Sequence, residues 1–523
     1  MLTLTGSSLT LADVVAVARH GQRVAPYSPD VLARMRASQA WVRAAVYGPA
    51  SDGGGRVIYG VNTGFGSLAH THIAPEQTRR LSRNLILQCL VGVGAPLPVE
   101  VVRAMMLIRA NVFAGGRSGL RPEVAQLLIE MLNRGVTPHV PGKGSLGASG
   151  DLAPLAHIAA VFTRDEDGDG GYSGQAYYQG ELLSGAEALR RAGLARVVLE
   201  AKEGLALTNG TTFMVAAAAL AVHDAESIVR QAEVAAALSY EALCGLSEAL
   251  HPALHAANNQ PGQAATAARL RALLAGSGLV DSQPERVQDA YSLRCTPHVV
   301  GPVRDVLAFL DERVTAALNA ISDNPLIFAD AEPPYKVSGG NFHGQGPSLW
   351  LDFLGIALAA VGNIAERRLF RLVTPELSNG LPPMLVPRSG LDSGLMMPQY
   401  TAAALVSDNK TLAHPDSVDS IPSSANQEDH VSMGANAARH ALEVVQNVRH
   451  IVAIELLTAA QAIDLRPDGP ARLGRGTRAA YTVVRRHVRA LEHDRELTPD
   501  IEALAEVVRS GELLAAVDAV LQP

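Results

Sequence analysis

The sequence has 523 residues, of which 48% are hydrophobic and 18% charged, and its net charge is −7. This apolar content excludes a mainly disordered chain, and the negative charge argues against a nucleic-acid-coating surface. Three cysteines are too few for a disulfide framework and indicate a reducing compartment. Because we find no signal peptide and no apolar run of about 18 residues without a polar break, we expect a cytoplasmic protein without a membrane span.

In chain order, the pattern predicts a mixed N-terminal region (1–200), then a long-helix core with a C-terminal helical region (201–523). Aromatic residues make up only 4% of the chain, and Ala, Leu and Val dominate the apolar set, which favours closely packed helices. Residues 211–244 and 435–465 lack both Gly and Pro, and each predicts a helix of roughly 45–50 Å. Further helices are predicted over 302–321, 348–372, 399–412, 472–491 and 501–521. We therefore predict a mainly α fold, a long-helix bundle core with a smaller mixed N-terminal region.

Two motifs in the N-terminal region match ligand-binding loops but lack the setting that such loops need. Residues 142–147 fit the GxGxxG pattern, but Pro138 and Pro141 precede them and disfavour a central parallel strand. The acidic residues from Asp165 fit the start of a calcium-binding EF-hand loop, but its twelfth position is Ala176, where Glu is required. We predict a solvated acidic loop there and, without an HExxH motif or a Cys/His cluster, no metal site.

The segment GASGD, residues 147–151, allows two interpretations. Ser149 or Asp151 can simply cap a following helix. Alternatively, the unhindered nitrogen of Gly150 can attack the carbonyl carbon of Ala148 in a tight turn and close a five-membered ring. Loss of water then leaves an exocyclic methylidene group on the former Ser149. The product is 4-methylidene-imidazol-5-one (MIO), an electrophile that no ordinary side chain provides.

A set of sequence blocks favours the second interpretation. The blocks are YGVNTGFG (59–66), GSLGASGDLAPLAH (144–157), KEGLALTNGT (202–211), VQDAYSLRCTP (287–297), SDNPLIF (322–328), SGGNFHG (338–344) and HPDSVDSIPSSANQEDHVSMG (414–434). Together they resemble the aromatic amino acid ammonia-lyase and aminomutase family, and its histidine-acting members most closely. The resemblance implies elimination of ammonia from an aromatic L-α-amino acid through an MIO group formed from Ala148, Ser149 and Gly150. It implies no metal and no external cofactor.

The resemblance also implies catalytic roles for Tyr59, Asn209 and Tyr291 and a substrate-binding role for Gln288. Tyr59 matches the base that removes the β-proton, and a tyrosine pKa near 10 must fall for this work near neutrality. Asn209 matches the donor to the carbonyl oxygen of the electrophile, where negative charge develops. Tyr291 and Gln288 match residues beside the electrophile. The simpler alternatives are a buried structural tyrosine, a turn residue and one face of a surface helix.

Several positions are implied to contact the substrate. Arg294 matches the residue whose planar guanidinium binds the substrate carboxylate. Phe342 matches a residue of the substrate pocket, although it could also be a core residue. Glu428 stands where histidine-acting relatives carry Glu, whereas relatives acting on tyrosine or phenylalanine typically carry Gln.

The pair Gln88-Cys89 departs from the family patterns. Histidine-acting relatives usually carry Ser-His there, tyrosine-acting ones tend to have His-Leu, and phenylalanine-acting ones often have Phe-Leu. In the family the matching pair contacts the substrate ring. Glu428 and the block HPDSVDSIPSSANQEDH nevertheless favour histidine, so we predict conversion of L-histidine to trans-urocanate first. A tyrosine or phenylalanine ammonia-lyase, giving coumarate or cinnamate, and a 2,3-aminomutase remain alternatives.

The resemblance also implies how the chain assembles and what it binds. It implies a homotetramer whose active sites are shared between subunits. The expected ligand is a small aromatic amino acid, and neither nucleic acid nor a membrane is expected as a partner. A non-enzymatic scaffold would have no use for Tyr59 or for the segment of Ala148, Ser149 and Gly150.

Overall fold

A computed structural model describes residues 1–48, 57–168, 170–283 and 285–521. Asp169, in the predicted acidic loop, lies outside these ranges. The chain divides into two compact units. Unit 1 comprises Met1–Leu220, Asp311–Asp352 and Pro415–Arg439, and unit 2 comprises Ala221–Leu310, Phe353–His414 and His440–Pro523. Neither unit is one continuous stretch of sequence, and the domain division at residue 200 stays a prediction.

Helices dominate the architecture, which confirms the predicted mainly α fold. They are α1 (Leu11–Ala18), α2 (Pro29–Tyr47), α3 (Thr78–Gln88), α4 (Val99–Ala114), α5 (Pro122–Arg134), α6 (Leu152–Phe162), α7 (Gly185–Arg191), α8 (Glu203–Thr208), α9 (Thr212–Ala242), α10 (Pro252–Asn258), α11 (Pro261–Leu273), α12 (Tyr291–Arg294), α13 (Thr296–Leu318), α14 (Gln345–Val373), α15 (Met396–Leu412), α16 (Gly434–Asp464), α17 (Arg475–His487), α18 (Thr498–Ser510) and α19 (Glu512–Leu521).

Short strands accompany these helices, and those that the structure describes all belong to unit 1. They are β1 (Val93–Pro96), β2 (Thr137–Pro138), β3 (Pro141–Lys143), β4 (Thr163–Arg164), β5 (Gln175–Tyr178), β6 (Glu181–Ser184), β7 (Val197–Val198), β8 (Leu326–Phe328) and β9 (Tyr335–Val337). The sheets have the orders β1-β3, β2-β5-β6, β4-β7 and β8-β9, and only β4-β7 is parallel. Because β3 pairs antiparallel with β1, no parallel βαβ unit surrounds the GxGxxG motif.

The two Gly- and Pro-free stretches form the long helices α9 and α16, with ends close to those predicted. Within unit 2, a buried cluster joins three long helices through Ala365 and Leu369 of α14, Ala402 of α15, and Ile451 and Ile454 of α16. Burial on every side along residues 451–462 is typical of a helix at the centre of a core. In unit 1, a second buried cluster comprises Val42, Ala45, Val46, Ile58, Val61, Ala201 and Ile327.

Two predicted helices have different bounds in the structure. Helix α13 begins at Thr296, and Pro302 lies inside it, whereas Pro302 was predicted to begin the helix. The range 501–521 forms α18 and α19 instead of one helix. Gly511 ends α18 with a φ of +76°, a left-handed conformation that stops a right-handed helix.

Helices α9 and α14 are long and apolar enough to cross a membrane, judged by length and composition alone. Their most apolar windows are, however, 78% and 67% buried inside the protein. Such burial is typical of helices in a protein core.

Candidate active site

Residues 147–150 form a tight turn immediately before α6. The N–H of Gly150 donates to the carbonyl oxygen of Gly147 at 3.1 Å. Ser149 has a φ of +51° and Gly150 a φ of +83°. The left-handed region costs a non-glycine residue roughly 1–2 kcal/mol, so the surrounding contacts must hold Ser149 in place. A compressed turn of this kind is what the predicted ring closure between Ala148 and Gly150 requires.

The segment containing Asn209 pairs with this turn through the backbone. Gly210 donates its N–H to the carbonyl oxygen of Ser149 at 2.9 Å, and Asp151 donates its N–H to the carbonyl oxygen of Gly210 at 2.8 Å. A Cβ atom at Gly150 would stand only 2.2 Å from the carbonyl oxygen of Gly210. Only glycine therefore permits this approach of the two backbones.

Asp151 caps a helix, but a different one from the helix considered in the sequence interpretation. It precedes α6 without any side-chain bond to that helix. Its Oδ2 instead accepts the N–H groups of Phe213 at 2.8 Å and Met214 at 3.1 Å, in the first turn of α9. Burial raises the pKa of the Asp151 carboxyl to about 7, although these two N–H donors and Arg109 oppose the rise.

Asn209 belongs to a buried polar network. Its Nδ2 donates to Oδ1 of Asp323 at 2.9 Å and to the carbonyl oxygen of Asn324 at 3.3 Å. Lys202 donates from Nζ to Oδ2 of Asp323 at 2.9 Å, and neither charged side chain of that pair has any exposed surface. The sequence interpretation missed Lys202 and Asp323, although both lie in quoted blocks, KEGLALTNGT and SDNPLIF.

An apolar cluster of unit 1 adjoins the turn. Its buried members are Leu85, Cys89, Ala156 and Leu205, and Tyr59, Phe65, Leu90 and Leu152 pack against them. Leu152 and Ala156 lie on α6, directly after the turn at residues 147–150. The fold therefore brings Tyr59 and Cys89 of the predicted set into one cluster beside the predicted electrophile segment.

Tyr59 is half-buried, and its hydroxyl oxygen accepts the N–H of Gly66 at 3.5 Å. Burial raises the pKa of the Tyr59 phenol. The Gly66 N–H opposes that rise, while the carboxylate of Glu428 adds to it. This direction is opposite to the lowered pKa that the base role requires, and burial of the phenol is its largest cause.

Glu428 reaches this region through contacts between two loops. The N–H of Ser67 donates to Oγ of Ser424 at 3.0 Å. The hydroxyl of Ser423 donates to Oε2 of Glu428 at 3.2 Å, and the backbone N–H of Ser423 donates to the Glu428 carbonyl oxygen at 2.9 Å. Glu428 is thus held beside the Gly-rich loop that carries Tyr59.

Gln88 and Cys89, the pair that departs from the family patterns, have different surroundings. Gln88 ends α3 with its side chain exposed, whereas Cys89 is buried. Burial, with a further contribution from Glu428, raises the pKa of the Cys89 thiol to about 11. A thiol with this pKa stays protonated at neutral pH, so Cys89 is not poised as a nucleophile.

Phe342, the predicted residue of the substrate pocket, is half-buried in the loop between β9 and α14.

Gln288, Tyr291 and Arg294 lie in unit 2. Nη1 of Arg294 donates to Oε1 of Gln288 at 2.7 Å, and its guanidinium stands 4.6 Å from the centre of the Tyr291 ring. Tyr291 is 70% exposed. Gln288 and Arg294 line an open cavity of about 760 Å³, together with Asp289, Cys295 and His298. Arg294 thus places a guanidinium on this cavity, where it can bind a ligand carboxylate.

In the part of the chain that the structure describes, no group of three or more His, Cys, Asp and Glu side chains is placed to hold a metal ion. The hydroxyl of Ser145 donates to the carbonyl oxygen of Gly150 at 2.9 Å, and the backbone N–H of Gly210 donates to the carbonyl oxygen of Ser149. The Gly210 N–H can therefore support charge on the Ser149 oxygen.

Comparison with known proteins finds matches over nearly the whole chain. The family described as aromatic amino acid lyase matches residues 9–486. The histidine ammonia-lyase of Symbiobacterium thermophilum is 50% identical over 519 residues, which cover 99% of this chain and 98% of that protein. The histidine ammonia-lyase of Treponema denticola is 48% identical over 511 residues, covering 98% of this chain and 97% of that protein.

Solved structures agree with this similarity. The crystal structure of histidine ammonia-lyase from Trypanosoma cruzi has a TM-score of 0.88 at 40% identity, covering 100% of this chain and 96% of that one. Tyrosine aminomutase from Streptomyces globisporus has a TM-score of 0.90 at 35% identity, covering 99% and 98% respectively. The resemblance predicted from the sequence blocks is confirmed.

Proposed function

Since the chain belongs to the aromatic amino acid lyase family and is a carbon–nitrogen lyase of the ammonia-lyase kind, we propose that it converts L-histidine to trans-urocanate and ammonia. The observation that carries the chemical part of this proposal is the turn at residues 147–150 with its bond from Gly210 to Ser149. The substrate part rests on the histidine ammonia-lyases to which the chain is similar, and on Glu428 beside Tyr59.

The turn has the features that self-cyclisation needs. The Gly150 nitrogen attacks the carbonyl carbon of Ala148 and that oxygen leaves as water, while a second water is lost from the Ser149 hydroxyl and α-hydrogen. The carbonyl of Ser149 remains as the ring carbonyl. The left-handed φ of Ser149 and the small residues at 148 and 150 suit this closure. The residues present therefore fit an MIO group, which supplies an electrophile for the amino group of the substrate.

The carbonyl oxygen of Ser149 is the atom on which we propose that negative charge develops. Gly210 already donates its backbone N–H to that oxygen. Asn209, the preceding residue, is proposed to add a side-chain N–H as negative charge develops there. One such preorganised donor is worth about 2.7–4 kcal/mol in the transition state.

Tyr59 is proposed as the base that removes the β-proton. Its side chain packs against the apolar cluster that includes Ala156 of α6, and the negative charge of Glu428 acts on its phenol. Because burial and Glu428 raise the pKa of this phenol, an opposing positive charge is needed to make it a base near neutral pH. We propose that the substrate ammonium group supplies that charge.

Glu428 and Cys89 bear on the choice of substrate. A carboxylate in this position can accept an N–H from an imidazole ring. Cys89 is small and leaves room for the ring in the apolar cluster. The Gln88-Cys89 pair keeps tyrosine and phenylalanine as second candidates, and the similarity to tyrosine aminomutase keeps 2,3-amino migration as a third.

A cytoplasmic homotetramer with shared active sites is part of the proposal. Unit 2 exposes several large apolar side chains on its helices, and these favour burial against another copy of the chain. They include Phe353 and Ile356 of α14 and Met397 and Tyr400 of α15. Gln288, Tyr291 and Arg294 line an open surface, which suits residues that complete a site on a neighbouring subunit.

The test incubates the purified protein separately with L-histidine, L-tyrosine and L-phenylalanine and follows the ultraviolet absorbance of the unsaturated product. Urocanate from histidine is the expected result. Coumarate or cinnamate without urocanate would overturn the proposed substrate. Chromatography for β-amino acids separates an aminomutase from a lyase. Size-exclusion chromatography with light scattering gives the oligomeric state, and an active monomer would contradict shared sites.

A further inference from the structure

The ion pair between Lys202 and Asp323 has no assigned role in the chemistry above. Nζ of Lys202 lies 2.9 Å from Oδ2 of Asp323, and both side chains are fully buried. Removing two charges from water carries a large desolvation cost, so a buried ion pair is a poor source of stability relative to apolar residues of the same size. Its presence calls for a role that apolar residues cannot supply.

Asp323 determines which way the amide of Asn209 points. Its Oδ1 accepts from Nδ2 of Asn209 at 2.9 Å and from the backbone N–H of Asn324 at 2.7 Å. An ionised carboxylate only accepts hydrogen bonds, so the nitrogen of the Asn209 amide, and not its oxygen, must face Asp323. The other N–H of that amide makes the longer bond, 3.3 Å, to the carbonyl oxygen of Asn324. The proposed function assigns this N–H to the carbonyl oxygen of Ser149.

Lys202 and Asn209 flank the same short helix. Lys202 precedes α8 with a left-handed φ of +71°, and Asn209 follows it. Asp323 bonds both residues, so the two ends of α8 are tied to one carboxylate. The backbone is fixed as well, because a Cβ atom at Gly210 would stand 2.1 Å from the carbonyl oxygen of Ser322.

Arg109 is the other cation near Asp323. It is buried, and its Nη1 donates to the carbonyl oxygen of Ser322 at 3.1 Å, while Nη2 donates to the carbonyl oxygen of Ala206. These bonds direct the Arg109 guanidinium to backbone oxygens of the segment before Asp323 and of helix α8. Lys202 is therefore the cation that bonds the Asp323 carboxylate directly.

We propose that Lys202 and Asp323 are positioning residues, which hold the Asn209 amide with its nitrogen, and not its oxygen, towards Asp323, so that an N–H of this amide is available to the carbonyl oxygen of Ser149. This inference rests on the proposed function, in which that oxygen gains negative charge. Without Lys202, Asp323 loses its countercharge and the Asn209 amide can reverse. An amide oxygen would then meet the Ser149 oxygen and oppose the developing charge.

Lys202→Met tests the inference, because Met has a similar length and no charge. We expect kcat for the amino acid substrate to fall roughly tenfold to hundredfold with little change in KM, since one donor in the transition state is affected. Intact mass should still show loss of two waters, so that the electrophile forms. A crystal structure of the variant should show the bond between Asn209 Nδ2 and Asp323 lost.

The double variant Lys202→Met/Asp323→Asn is the rescue. Its new amide can still accept from Asn209 without a buried charge, and we expect a higher kcat than in Lys202→Met alone. If Lys202→Met folds poorly, the double variant still tests the inference. Combining Lys202→Met with Asn209→Ala should add no further loss of kcat beyond Asn209→Ala alone.

Arg121→Gln is the matched control. Nη2 of Arg121 lies 2.7 Å from Oε2 of Glu203, the residue after Lys202, and neither member of that pair contacts Asn209 through a hydrogen bond. We expect a lower melting temperature with kcat within about threefold of the unmodified protein, as for a change outside the reacting groups.

Wild-type kcat in Lys202→Met with the electrophile formed would overturn the positioning role, as would an equal kcat loss in Arg121→Gln. If the unmodified protein makes no product from any of the three amino acids, the proposed function fails instead. The Asn209–Asp323 bond in the crystal structures then still reports on positioning.

Discussion

The backbone N–H of Gly210 donates to the carbonyl oxygen of Ser149 at 2.9 Å. This bond joins two sequence blocks that are far apart in the chain and places a fixed donor on the oxygen that would carry charge in the proposed reaction. It also makes the local backbone geometry as important as any side chain, because it requires glycine at both 150 and 210.

Ser149→Ala should remove the hydroxyl that leaves as water during cyclisation. We expect the purified variant to retain its full sequence mass and helical circular dichroism, while the unmodified protein is lighter by two waters. Ammonia release should fall by several orders of magnitude, because the remaining site lacks an electrophile. An unmodified protein with full sequence mass and undiminished activity would contradict the mechanism.

Glu428→Gln should change the pH dependence of kcat/KM. If Tyr59 acts as the base, activity rises with pH as its phenol loses a proton. The carboxylate of Glu428 raises the pKa of Tyr59, so its removal should move this rise to lower pH. Ser423→Ala removes the hydrogen bond to Glu428 but keeps the charge, and its profile should not move in that direction. A shift to higher pH in Glu428→Gln would exclude this electrostatic coupling.

Arg294→Lys should weaken binding of the substrate carboxylate. Lysine keeps the charge but lacks the planar fork, the stacking on Tyr291 and the bond to Gln288. Loss of a charge-assisted hydrogen bond costs about 1.5–3 kcal/mol, which corresponds to roughly a tenfold to hundredfold loss of kcat/KM. Steady-state kinetics measure this loss of kcat/KM. An unchanged kcat/KM in Arg294→Lys would show that Arg294 does not bind the substrate carboxylate.

Asp151 should make the protein less stable as pH rises. Its pKa is raised from 3.8 to about 7 by burial, so the folded protein holds this proton over a pH range in which the unfolded chain has lost it. Its contribution to stability is therefore greatest below about pH 4 and declines as pH rises through about 7. Asp151→Asn lacks this dependence but can still cap α9. As the pH rises from about 4 to about 7, the melting temperature of the unmodified protein should fall relative to that of Asp151→Asn. A difference in melting temperature that stays constant over this range would contradict the raised pKa of Asp151.

Much of the helical framework follows from local sequence. The stretches without Gly and Pro become α9 and α16 because apolar helix formers continue through them without a breaker. Local rules fail where packing outweighs them. Pro302 was predicted to start α13, yet the helix begins at Thr296, since one missing N–H does not prevent a packed helix from continuing through it.

Helix propensity and contiguous motifs are local properties of the chain, so they are enough to predict the mainly α fold, the family and the segment of Ala148, Ser149 and Gly150. Which charges share the buried interior depends on the tertiary structure. It paired Lys202 with Asp323 next to Asn209, and it buried Tyr59 near Glu428, so that the pKa of the phenol rises where a fall was expected. The physical reason is that a charge acts over distance and in proportion to its burial, and neither is encoded in the order of neighbouring residues.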